Sequence, residues 1–284
     1  MTNEITKSKG SNQIGFTSFM TSNVVQKKVN DILGDEKRGA RFISSIVSAV
    51  NANPTLKECD NASILSGALL GEALSLSPSP TLGRMYLVPF KDKNRGMVAQ
   101  FILGYKGYLE LAMRSGQYKD INVMEIREGE YKGRDRLTGN PTFEFIEDDD
   151  IREEKKIIGY MASFTLTNGF TKTIYKTQKQ MEEHAMEYSN GYRSDKKNGT
   201  SYTFWSKDFT SMAFKTLLRQ LISRWGIMSI ELQQAYDGDM AVINDDGSRD
   251  YVDNQEDVIT FEVQEQPKEV HNLDEIQWNM GGHT

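Results

Sequence analysis

The chain carries one cysteine, Cys59, in 284 residues. No intramolecular disulfide can form, a cysteine-based zinc site is excluded, and the expected compartment is a reducing cytoplasm. Long apolar runs are missing as well. None approaches the ~18 residues of a membrane-spanning helix, so no membrane partner is expected. The opening MTNEITKSKGSNQ lacks the apolar centre of an export signal and reads as a short disordered arm, residues 1–20. Histidine is scarce: His184, His271 and His283 form no metal cluster and no serine-histidine-acid arrangement. There is no G-x-x-x-x-G-K-[S/T] phosphate loop, which argues against an ATP-driven strand-exchange enzyme. No catalytic residue, metal or cofactor is therefore expected.

The net charge of −6 is unevenly spread. Residues 231–284 hold 14 acidic side chains against Arg249 and Lys268, while residues 1–230 hold 32 basic against 26 acidic. A mildly basic body with an acidic appendage is compatible with a polyanion-binding domain. The body is expected over residues 21–237 and a flexible acidic tail over 238–284. Ile259, Phe261, Val263, Ile276 and Trp278 in that tail are the residues a docking motif would use.

Periodicity supplies the elements. Apolar spacings of three and four predict helices over Ser22–Leu33, 37–51, Ala62–Ala73, from Tyr105 to a stop at Gly116, from a Thr177 cap to Tyr188, from Ser206 to Arg224, and on to Tyr236. Ser66, Gly67, Ala68 and Gly71 give the third helix a small-residue face for core packing or self-association. Met85–Phe90 and Met97–Leu103 flank a charged turn and read as a β-hairpin, with Pro89 marking an edge strand or a bulge. Ile121–Ile126 is a strand, and Ile157–Leu166 with Phe170–Tyr175 is a second hairpin about Asn168-Gly169. The stretch from Arg127 to Pro141 reads as a charged loop, with a short strand at Phe143 and Phe145 beyond it. The fold class is α+β: a twisted antiparallel sheet with β-hairpins packed against long helices. Glu147 to Asp150 is a four-acid run. Consecutive carboxylates diverge in direction, so a solvated turn is favoured over the metal site of a nuclease.

Three segments concentrate cations. Lys91, Lys93 and Arg95 crowd the first hairpin tip against Asp92, and Lys106 and Arg114 lie on the polar face of the following helix, with Tyr105 at its start. Lys176 ends the second hairpin, and the stretch SNGYRSDKKNGTSYT, expected as a loop, offers Tyr192, Arg193, Lys196, Lys197 and Tyr202 and leads into Phe204-Trp205. Lys207, Lys215 and Arg219 fall within about 120° on a helical wheel. Cations can neutralise phosphates while aromatic faces take unstacked bases. Solvated charge pairs and a tryptophan that merely anchors its helix fit the same residues.

A resemblance weighs on that choice. Leu87 to Phe90, Gln100, Gly104-Tyr-Lys-Gly107 and Leu111 to Gly116 are similar to the central signature of the RecT family of phage single-strand annealing proteins. A second signature is met by Trp205, Met212, Lys215-Thr216 and Arg219, with Phe-Trp where the family usually has Pro-Trp. The resemblance spans about residues 40–230. It implies an ATP-independent protein of a bacterial host's cytoplasm that binds single-stranded DNA, assembles into rings or helical filaments, and pairs complementary strands. A phage exonuclease and the host single-strand-binding protein are the implied partners. The DNA contacts expected first are Lys215, Lys207, Lys106 and Arg114. A tail-based interaction scaffold and a metal-dependent nuclease are the rival functions.

Overall fold

Side-chain caps start the helices expected from about residues 22, 37 and 62. α1 (Phe16–Met20) is followed by α2 (Asn23–Leu33), whose N-cap Ser22 accepts from Val25 N at 3.4 Å, and by α3 (Glu36–Ala52), capped by Asp35. Gly34 ends α2 at φ 68°, in the left-handed region that favours glycine. The stripe Phe42, Ile46 and Val50 buries α3, at about 1.5–3 kcal/mol for each large apolar side chain. A 3-10 turn (Pro54–Glu58) leads to α4 (Asn61–Ala73), capped by Asp60. The small-residue face of α4 packs against the first strand: a Cβ on Gly71 would meet Met85 Sδ at 2.1 Å. The structure, a computed structural model, describes residues 15–79, 81–92 and 94–251, and all of them belong to one compact unit.

β1 (Met85–Asp92) and β2 (Gly96–Leu103) form the expected hairpin in the register Met85↔Leu103 to Asp92↔Gly96. β1 is the edge of its sheet, which accommodates Pro89 without a missing ladder bond. α5 (Tyr105–Arg114) follows, then β3 (Tyr118–Arg127), β4 (Tyr131–Arg134), β5 (Pro141–Phe143) and α6 (Asp149–Glu154). β6 (Ile157–Leu166) and β7 (Thr171–Thr177) make the second hairpin and α7 (Gln178–Tyr188) leaves it through a capping box at Thr177. α8 (Asn190–Asn198), α9 (Phe204–Lys207), α10 (Phe209–Trp225), α11 (Ile230–Gly238), β8 (Ala241–Ile243) and β9 (Arg249–Tyr251) complete the described chain.

The sheets are antiparallel, as expected, but the two hairpins fall in different sheets. One has the order β1-β2-β8-β9, another β3-β6-β7, and β4-β5 is a separate ribbon. α10 joins the layers, with Leu217, Leu218, Leu221 and Ile222 buried in the main core. The β4-β5 ribbon packs its Tyr131 ring on Tyr175 of β7 at 4.6 Å, making a smaller satellite core.

Several expectations need correction. The stretch from Arg127 to Pro141 is not wholly a loop, because Tyr131–Arg134 pairs with β5 as β4. The arm proposed for residues 1–20 ends in a helix, because Phe16 and Met20 are buried in the main core. The acidic run does not stay a turn: Asp148 caps α6 by accepting from Ile151 N at 3.1 Å, and the acids after it sit where a helix N-terminus favours negative charge. The polar stretch after Ser189 is helical, since Tyr192 and Asp195 both turn inward. The tail does not start at 238: Ala241, Val242 and Ile243 are buried and pair with β2 and β9. The docking residues proposed from Ile259 to Trp278 lie outside the described residues.

Candidate nucleic-acid interface

The first signature is mostly scaffold. Gly104 and Gly107 bring α5 against the turn that leads into β1: a Cβ on Gly104 would sit 2.1 Å from the Gly83 carbonyl, and one on Gly107 2.2 Å from the Arg84 carbonyl. Gln100 is buried, and its side-chain amide donates to the Met240 carbonyl. This hydrogen bond holds the 239–241 segment onto β2, next to the bond from Met240 N to Phe101 O at 2.9 Å.

The second signature divides between core and surface. The cations expected to project as one basic stripe on α10 do not do so. Lys215 is 4% exposed, and its Nζ lies 2.7 Å from Asp239 Oδ1. The same carboxylate accepts from Leu103 N at 2.9 Å and the Tyr108 hydroxyl at 3.1 Å, with Arg219 at 3.3 Å. Arg219 also donates to the Tyr236 carbonyl at 3.1 Å and lies 3.9 Å over the Tyr236 ring. Burial and the neighbouring carboxylate push the Tyr108 phenol well above its ordinary pKa, so it remains a donor. Burial opposes the Arg219 charge, but Tyr108 and Asp239 outweigh it and keep the guanidinium protonated. Lys215 and Arg219 are thus corrected from surface contacts to a buried ionic cluster that fastens α10, α5 and β2 to the segment after α11.

The remaining predicted contacts sort by whether an acid or carbonyl already holds them. Arg95 is bound to Asp250 at 3.1 Å and Asn244 at 2.7 Å. Arg114 donates to the Leu74 carbonyl at 2.9 Å and lies 3.6 Å from Glu110. Arg193 caps the carbonyls of Met186 and Glu187 at the end of α7. Lys196 pairs with Glu182 at 3.0 Å and lies over the Tyr192 ring. Lys91, Lys106, Lys176, Lys197 and Lys207 form no ion pair among the described residues. Lys93 lies outside the described residues. Trp205 is 7% exposed. It packs edge-on against Phe209 at 5.1 Å and helps to line a cleft of about 410 Å³ with Tyr192, Asp195 and Lys196. Its indole therefore anchors α9 instead of offering a face to solvent.

What the fold adds is a seam between the two signatures. Tyr86 on β1 meets Phe204 on α9 with ring centroids 5.3 Å apart, and Tyr105 meets Phe214 of α10 at 5.6 Å. Burial, then the nearby Asp208 carboxylate, raise the Tyr86 phenol above its ordinary pKa. A Cβ on Gly83 would touch the Tyr86 hydroxyl at 3.1 Å and Lys106 Cδ at 3.3 Å, so Lys106 stands beside Tyr86. Lys207 follows Phe204 by three residues on α9, on the same side of the helix. Unpaired lysines such as Lys57 and Lys119 occur elsewhere, so the lack of an acid is not itself a mark. The company of partly exposed rings is what distinguishes Lys106 and Lys207. Tyr86 is not singled out by the sequence, where the signal available is its adjacency to the signature residues; Tyr202 and Phe204 belong to the aromatic and basic stretch that leads into Trp205, although Trp205 is the ring expected to meet DNA.

Comparison with known proteins places the chain in a family. A sequence model of the RecT family matches residues 40–259. "Uncharacterized protein YqaK" of Bacillus subtilis (strain 168) is 38% identical over 259 residues, covering 91% of this chain and 81% of that protein. "Protein RecT" of Escherichia coli (strain K12) is 29% identical over 227 residues, 77% of each chain. The match runs from α3 through both signatures and the Asp239 segment, and the chain belongs to the RecT family.

Proposed function

We propose that this protein is a DNA-annealing protein of homologous recombination, working without ATP or metal. It would hold single-stranded DNA along a surface that includes the seam of β1, α5 and α9. The observation that carries the reading is the contact between the two signatures at Tyr86 and Phe204, with the un-neutralised ammonium groups of Lys106 and Lys207 beside it. Lysines without acidic partners can exchange counterions for phosphates, which is the main source of affinity for single strands. Lys91, Lys176 and Lys197 are further candidates by the same criterion. Contacts through phosphates leave base edges available for pairing, and a second strand is then tested by complementarity alone.

Each subunit offers few such cations, so the reading includes assembly of many copies along one strand, as rings or a helical filament. Weak trial pairings are then released, and matched strands accumulate stacking and pairing along their length. Partner docking by the acidic residues after Asn254, with an exonuclease or a single-strand-binding protein as the partner, belongs to the same proposal. The test is annealing of two complementary oligonucleotides by the purified full chain, with EDTA present and nucleotide absent. Faster annealing with intact strands supports the reading. No acceleration and no single-strand binding at low salt would leave a protein-interaction scaffold, and release of nucleotides when magnesium is supplied would point to a nuclease.

A further inference from the structure

The segment between α8 and α9 is held by one carboxylate. Asp195, 3% exposed, accepts from Thr200 Oγ1 at 2.7 Å, Tyr202 N at 3.0 Å, Thr203 N at 2.8 Å, Thr203 Oγ1 at 2.8 Å and Ser206 Oγ at 2.7 Å. Gly199 turns the chain into this segment at φ 67°. The backbone of residues 200–206 is therefore fixed, yet it holds two aromatic rings outward: Tyr202 is 77% exposed and Phe204 38%. Phe204 packs on Tyr86 and still keeps 38% of its surface exposed. Among the described residues Tyr202 makes no ring contact. Exposed aromatic rings leave apolar surface in water, and these two stand between Lys197 and Lys207, neither of which forms an ion pair among the described residues.

We propose that Tyr202 and Phe204 are the base-stacking residues of this protein, taking unstacked bases of the strand whose phosphates Lys207 and Lys106 neutralise. The assignment rests on the annealing reading and concerns only which rings meet the bases. Charge complementarity selects nucleic acid over an apolar protein partner at this patch. The fixed backbone matters because the chain itself then loses little freedom when bases stack on the rings it carries. Stacking also tolerates any sequence, since every base has a π-face, as a protein that pairs arbitrary complementary strands requires.

The test compares two probes with the full-length protein: a thymidine oligonucleotide and an oligomer of the same length with abasic sites throughout. Both carry phosphates, and only the first carries bases. Tyr202→Leu and Phe204→Leu should each weaken binding to the thymidine probe by about 5- to 10-fold, the lower part of the range for one lost stacking partner. The abasic probe should bind all variants alike, the salt slope should be unchanged, and Tyr202→Phe should bind as wild type. Melting curves of Tyr202→Leu control for folding, since its ring is largely in solvent. Equal losses on both probes, or no loss on either, would overturn the stacking assignment alone. Wild-type protein that binds neither probe would overturn the annealing reading and the assignment with it.

Discussion

Replacing Asp239 should do more harm than replacing Lys215, and the second change should repair part of the first. Lys215 and Arg219, with side chains 5% and 16% exposed, share one carboxylate that is itself fully buried. The cluster thus holds two positive charges to one negative. Asp239→Ala removes the carboxylate that both cations share, together with the acceptor of the Leu103 N–H and the Tyr108 hydroxyl. Breaking a buried pair in this way costs about 3–5 kcal/mol. For a domain of this size each kcal/mol lowers Tm by about 2–4 °C, so a fall on the order of 10 °C is expected. Lys215→Met instead leaves a balanced Asp239–Arg219 pair with its other donors in place. It should cost less than about 2 kcal/mol, since the lost charge-assisted hydrogen bond is offset by removal of the excess buried charge. The double variant should be more stable than Asp239→Ala alone.

Thermal melts followed by circular dichroism measure all three variants, and single-strand binding below the lowest Tm completes the set. Lys215→Met should keep the wild-type salt slope, because its ammonium lies on Asp239 and not at the surface. Two results would refute the reasoning: Lys215→Met as unstable as Asp239→Ala with no relief in the double variant, or a stable Lys215→Met whose slope drops by about 0.7, the signature of one lost single-strand phosphate contact.

Lys106→Ala and Lys207→Ala should each reduce that same slope by about 0.7 with little change in Tm, read by fluorescence anisotropy between 50 and 300 mM salt, on the order of the usual range for such titrations. An unchanged slope for both would remove the seam from the DNA-binding surface. Gly104→Ala should cost about 1–3 kcal/mol by overpacking, because the added methyl meets the rigid Gly83 carbonyl; a wild-type melt would show that α5 can shift freely. At Glu130, burial opposes the charge, but Arg152 at 2.6 Å and the Arg127 N–H outweigh it and hold the carboxyl below its ordinary pKa. Its contribution is complete above the unfolded pKa of about 4.3 and is lost as pH falls through the lower folded value. The Tm gap between wild type and Glu130→Gln should therefore close below about pH 4, and a gap that persists into stronger acid would contradict that assignment.

The hairpins, the long helices and their caps were legible because apolar period and capping chemistry agree. Ser22, Asp60 and Thr177 each precede a periodic stripe and each accepts a helix N–H. Several errors come from carboxylates whose structural contacts apolar periodicity does not register. Asp195 helps bury α8, whose apolar stripe is otherwise a single tyrosine, so periodicity alone predicted a loop. Asp208 read as an acid within one long helix, yet its carboxylate accepts from Ser211 N at 3.0 Å and starts α10 afresh. Asp239 read as the start of an acidic tail because its counter-ion, Lys215, lies 24 positions earlier. A helical wheel assigns a lysine to the surface by default, and nothing local shows that a distant carboxylate has claimed it.

That failure changes which signature residues can touch DNA. A family motif collects residues the fold needs together with residues the activity needs, and burial separates the two sets. Gln100, Gly104, Gly107, Lys215 and Arg219 are accounted for by contacts within the chain. Lys106 and Lys207 are not, for neither forms an ion pair among the described residues. Loss of a scaffold residue should lower stability and DNA binding together, whereas loss of Lys106 or Lys207 should lower binding alone. If annealing is collective along a strand, the loss from one lysine recurs in every subunit, so a small defect in single-site affinity should become a large one in annealing rate.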